Sequence, residues 1–113
     1  MTCVTLNESG GRYLVEAVGH AEGSVQACAA VSFLMYSLLG YLANADGVEI
    51  ESEDIADAFF SVEFSGGETA RIMFDYCVIA FLQLEGSYGE FVSVKKITKR
   101  KCARSSDALP ASY

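Results

Sequence analysis

Residues 19–32 read GHAEGSVQACAAVS, and the rest of the chain can be ordered around this stretch. It holds His20, the only histidine, and eight positions later Cys28, close to the start of a long uncharged run. A thiol attacks as its thiolate, a form that a neighbouring imidazole and the positive end of a helix dipole both favour. This stretch offers both, so it reads as a Cys28/His20 dyad for attack on an acyl group. The plainer reading of the same residues is a small hydrophobic cysteine in a packed helix and a histidine without a special role.

Working outward toward the N-terminus, residues 2–7 are rich in β-formers, and Ser9-Gly10-Gly11 signals a turn. Residues 13–20 read as the second strand of a hairpin. Tyr13, Val15 and Ala17 share one face, and Leu14, Glu16, Val18 and His20 the other. His20 is thus expected at a strand end, a fixed platform for a base. In the connection that follows, Gly23 permits a tight path and Ser24 suits a helix N-cap. A helix beginning near Val25 places Cys28 in its first full turn, where free backbone N–H groups face any anion forming there. Ala29 and Ala30 are small enough to admit a substrate backbone near the sulfur. Ser32 lies one turn beyond Cys28 on the same face.

Toward the C-terminus, residues 25–45 carry no charge, a length that invites a membrane-spanning reading. Ser32, Tyr36, Ser37, Gly40, Tyr41 and Asn44 interrupt the run, no basic cluster flanks it closely, and the strands on either side need an apolar cover. A helix buried at the centre of the fold, with one side free for a subunit contact, is the reading adopted. Asn44 to Gly47 ends it. Residues 48–52 form a short strand, and Glu53, Asp54 and Asp57 then read as a solvated acidic loop or as a grip on a basic substrate. Residues 58–64 alternate cleanly, with Ala58, Phe60, Val62 and Phe64 on one side. After Ser65-Gly66-Gly67, residues 68–85 show a helical stripe of Ala70, Met73, Phe74, Cys77, Val78, Phe81 and Leu82, in which Cys77 reads as inert packing. Residues 91–97 make a last strand. Two helices that cannot hide their apolar sides alone, with about five mostly antiparallel strands, give an α+β two-layer sandwich. The domain is expected over residues 1–97, followed by a basic tail over residues 98–113.

At 113 residues and 51% hydrophobic, the chain supports one domain with a real core. Cys3, Cys28, Cys77 and Cys102 form no CxxC pair, and the first residues, MTCVTLNESG, are neither basic nor continuously apolar. Free thiols in a reducing cytoplasm are expected. With one histidine and scattered cysteines, no metal and no cofactor are expected. Every acidic residue except Asp107 lies in residues 1–94, where Arg12 and Arg71 are the only lysine or arginine side chains. Lys95, Lys96, Lys99, Arg100, Lys101 and Arg104 follow, within an overall net charge of −7. An acidic body disfavours nucleic acid as partner and suits a basic peptide or protein.

The GHA of residues 19–21 and the CAAVS of residues 28–32 resemble the active-site signature of the ribosomal-processing cysteine protease family, Prp. In that family GHA ends a strand, a flexible loop follows and CAAVS opens a helix. The likeness extends through the order of elements from about Thr2 to Ile97. It implies Cys28 as nucleophile, His20 as its base, Ser32 as the serine closing the motif, and Gly19, Ala21, Ala29 and Ala30 as small neighbours. It further implies a homodimer that removes a short N-terminal extension from a large-subunit ribosomal protein, a basic substrate. Two departures stand out: the family's histidine-to-cysteine connection is longer, and it carries an aspartate three residues before the cysteine, where this chain has Val25. They leave room for another precursor as substrate, such as a phage capsid or scaffold protein, and for a member that only binds a peptide or partner protein.

Overall fold

Alternating apolar residues make the first two strands. In the computed structural model, which describes residues 1–98, β1 (Thr2–Ser9) and β2 (Arg12–Val18) form an antiparallel hairpin with Val4 opposite Ala17 and Leu6 opposite Val15. Gly10 and Gly11 turn it, both with positive φ. Next come α1 (Val25–Asn44), β3 (Glu49–Ala56), β4 (Phe59–Ser65), α2 (Gly67–Ser87) and β5 (Val92–Thr98). The sheet order is β3-β4-β2-β1-β5. All neighbouring pairs are antiparallel except β1 with β5, which run parallel because α2 carries the chain across before β5. This is the expected α+β sandwich, with a mixed sheet.

One sheet face and the helix stripes form a single core. Val4, Leu6, Tyr13, Val15, Phe60, Val62, Phe64 and Val92 bury against Val31, Met35 and Leu38 of α1 and Phe74, Val78 and Phe81 of α2. The Tyr13 ring sits 5.6 Å from Phe64 and 5.0 Å from Phe74 in tilted packing. Each fully buried side chain of this kind contributes about 1.5–3 kcal/mol. Glu85 Oε2 accepts from the Val94 N–H at 2.9 Å, which ties the edge strand β5 to α2.

Three expectations need correction. The third strand is longer than residues 48–52: Glu53 and Asp54 belong to β3 itself, at the exposed edge of the sheet, while Asp57 falls in the tight turn before β4. Register decides this, because Glu53 pairs with Val62 and Asp54 with Ser61. On the outer edge, Arg12 Nη2 lies 3.3 Å from Glu51 Oε1 while the Ser65 hydroxyl donates to Glu51 Oε2 at 2.7 Å, so β3 is pinned across β4.

The first helix covers one face of the sheet rather than lying at the centre of the fold, and the side expected to be free for a contact is open. Ala27, Val31, Met35, Leu38 and Leu42 are covered, whereas Phe33 is 70% exposed and Val25, Tyr36 and Tyr41 are also open. A two-layer fold covers a helix on one side only. By length and composition α1 could cross a membrane, yet its buried stripe is used by the sheet. Finally, the second strand ends at Val18 rather than His20, with consequences for the site described next. Thr98, expected to open the tail, is the last residue of β5. The basic tail beyond it, with Cys102, lies outside the described residues.

Candidate functional site

Strict alternation along β2 would place His20 with Val18, on the face away from the helices. The chain departs from it at Gly19, whose φ is +93°. Only glycine adopts that conformation without strain, and a Cβ there would lie 2.5 Å from the Met1 carbonyl oxygen. The position is held on both sides: the Gly19 N–H donates to Ala58 O at 2.8 Å, and Thr2 Oγ1 donates to Gly19 O at 3.0 Å. This turn carries His20 out of the strand and into a cleft between α1 and the β3–β4 hairpin.

The connection back to α1 is short and closely packed. Ala21 is buried, and Ser24 N–H donates to Ala21 O at 3.2 Å. Gly23 has φ +95°, and a Cβ there would meet the Phe91 ring at 3.0 Å. Ser24 caps α1 as its sequence position suggests, its Oγ accepting from the Ala27 N–H at 3.0 Å. The Cys28 N–H donates to Ser24 O at 3.1 Å, so Cys28 closes the first helical hydrogen bond. The N–H groups of Val25 and Gln26 have no intrahelical acceptor, as geometry requires at a helix start.

The cleft has a volume of about 380 Å³. His20, Cys28, Ser32, Met35 and Tyr36 line one part of it and Ile55 to Phe60 another. Tyr36 stands edge-on to Phe60 with ring centroids 5.4 Å apart, which fixes one wall. Cys28 is half-buried and His20 half-exposed, so both residues border a space open to solvent. His20 Nε2 lies 3.5 Å from Asp57 Oδ1. Cys77 is different: burial pushes its thiol up to about 12, the state of a packing residue.

Of the residues singled out from sequence, Gly19, His20, Cys28 and Ser32 line the cleft. Ala21 is in the core, and Gly23 shapes the connection. Ala29 is exposed outside the cleft, and Ala30 lines a separate groove between the helices with Phe33, Leu34 and Tyr88. The two alanines therefore do not border the sulfur's side of the helix. Sequence alone did not bring Asp57, Tyr36 or Thr2 to the site. Their only local signals were an acid in a turn and an aromatic on a helix, and the strand register assembles them. Among the described residues no cluster of three or more His, Cys, Asp or Glu side chains is placed to hold a metal ion.

No family model matches the chain, and no curated protein does. Solved structures do. A structure of the essential ribosomal processing protease Prp from S. aureus, in complex with a covalently linked product peptide, superposes with a TM-score of 0.74 at 15% identity, covering 85% of this chain and 99% of that one. A second structure of the S. aureus protease, with a substrate peptide, gives 0.69 at 16% identity over 85% and 99%. A protein from Streptococcus mutans gives 0.69 at 24% identity over 88% and 96%. By its fold, then, this chain is similar to the ribosomal processing protease Prp.

Proposed function

We propose that the protein is a cysteine endopeptidase working with a Cys28/His20 dyad. The observation that carries this reading is the break at Gly19, which puts the sole imidazole into the cleft that also holds the half-buried thiol at the capped start of α1. His20 takes the Cys28 proton, and the sulfur attacks a peptide carbonyl carbon. The resulting oxyanion is met by the unpaired N–H groups at the helix start. As the C–N bond breaks, His20 returns the proton to the leaving amine. Water, deprotonated by His20, then attacks the thioester, releasing the acid product and the free thiol.

The substrate in this reading is a protein that loses a short N-terminal extension, either a large-subunit ribosomal protein or a phage capsid or scaffold precursor. The S. aureus protein of the same fold has been solved with a substrate peptide and with a covalently linked product peptide. The edge strand β3 displays Glu49, Glu53 and Asp54, all exposed, next to a cleft walled by its own Ile55 and Ala56, which suits a basic peptide. The exposed Phe33 and Tyr41 on α1, with Ile72 and Tyr76 on α2, support a homodimer. A cytoplasmic setting belongs to this reading, supported by the free thiols of Cys3, Cys28 and Cys77.

The second reading is a dimeric binder of the same fold without hydrolysis. It draws on the first turn of α1, which holds no acidic residue and begins with a Val25 that is 83% exposed. Trapping partners on the Cys28→Ala protein and sequencing their N-termini, with and without the wild-type chain, separates the two. Endopeptidase activity predicts captured partners whose N-termini shorten on adding wild type. Partners that are captured and never cut would leave the binder.

A further inference from the structure

The β3–β4 turn brings a carboxylate to His20 from a distant part of the chain: Asp57 Oδ1 lies 3.5 Å from the ring's Nε2. We propose that Asp57 is a positioning residue for His20: it accepts from the ring's Nε2–H and leaves Nδ1 as the nitrogen that takes the thiol proton. This rests on the dyad reading above and extends it to a third side chain.

The turn is built to hold Asp57 where it is. Val18 pairs with Phe59 in the β2–β4 register, and one residue on, Gly19 N–H donates to Ala58 O at 2.8 Å. The residues flanking Asp57 and those flanking His20 are therefore joined by backbone hydrogen bonding. Ala58 has φ +58°, an unusual conformation for a residue with a side chain. Such strain persists only where the surroundings enforce it. Asp57 Oδ1 then sits 3.5 Å from His20 Nε2, and both residues line the cleft that holds Cys28. That separation exceeds a made hydrogen bond, and catalytic contacts are commonly long before substrate arrives and tighten in the complex.

A histidine base has two ring nitrogens, and an acceptor on one fixes the proton there and frees the other. The first turn of α1 contributes no acid, so among the described residues that line the cleft Asp57 is the one carboxylate. It is 95% exposed, so water and salt screen it, and its effect is that of an open pair, a rate change of about two- to fivefold.

The test uses the full chain and iodoacetamide as probe, with the alkylated cysteine mapped by mass spectrometry and the single imidazole followed by ¹⁵N NMR. His20→Ala should slow Cys28 alkylation, as the dyad requires. Asp57→Ala should slow it about two- to fivefold and shift the ring nitrogens away from the Nε2–H form. Asp57→Asn, which keeps an acceptor oxygen, should retain that form and lose the sensitivity of the rate to salt. A wild-type tautomer and rate in Asp57→Ala, with His20→Ala slowed, overturns the role of Asp57 and leaves the dyad. No effect of His20→Ala overturns both. Because Asp57 is exposed and outside the core, none of these outcomes depends on rescuing a misfolded variant.

Discussion

Gly19 shows how much one backbone angle decides. Its φ is +93°, and a methyl group on its Cα would come within 2.5 Å of Met1 O, which leaves no room for alanine. Gly19→Ala should cost about 1–3 kcal/mol in chemical denaturation. Because the same residue aims His20, the variant should also lose preferential alkylation of Cys28; a variant of wild-type stability and reactivity would refute the argument. Cys77 makes a pH prediction. Its folded-state value of about 12 lies above the ordinary 9.0. Below pH 9 both states hold the proton and the contribution is complete. Between pH 9 and 12 the unfolded chain ionises first, so stability is lost as pH rises. The full loss is about 4 kcal/mol, three pH units at 1.36 kcal/mol each. Denaturation midpoints across that window should fall less steeply in Cys77→Ala than in wild type.

At the scale of elements, α1 is the piece with two separate tasks. Its N-terminus presents Cys28, and Ser24 Oγ holds that end by accepting from Ala27 N–H. Ser24→Ala should destabilise by about 1 kcal/mol. It should also slow Cys28 alkylation, since a frayed first turn no longer fixes the sulfur; denaturation and thiol labelling read the two effects separately. The acidic edge strand β3 is the other element with a surface consequence. Its exposed backbone edge is guarded by Glu49, Glu53 and Asp54, charges that discourage pairing with another copy there.

For the whole molecule, the uncovered apolar surface sets the expectation. Phe33 at 70% exposed, with Tyr41 and the α2 residues Ile72 and Tyr76, lies outside the core that α1 and α2 build with the sheet. The homodimer proposed above places it at the contact. Phe33→Glu should shift the sedimentation coefficient to that of a monomer while the circular dichroism spectrum stays unchanged. A wild-type chain that sediments as a monomer at all concentrations would remove the dimer.

The sequence by itself determined the elements and their order. Alternation in residues 58–64 marked β4, with Phe60, Val62 and Phe64 buried as the pattern required. The stripe from Ala70 to Phe81 marked α2, and Ser24 marked the start of α1. These signals are local, because burial repeats every two residues along a strand and every 3.6 along a helix. Only the tertiary structure decided which groups share the cleft. Simple alternation sent His20 to the wrong face, since the pattern carries no mark of a positive φ at Gly19. Asp57 read as a loop acid until the Val18–Phe59 register and the Gly19–Ala58 hydrogen bond brought its turn beside the imidazole. The extent of the open side of α1 was equally hidden, because an apolar sequence records what a helix could bury and not how much cover the other layer supplies.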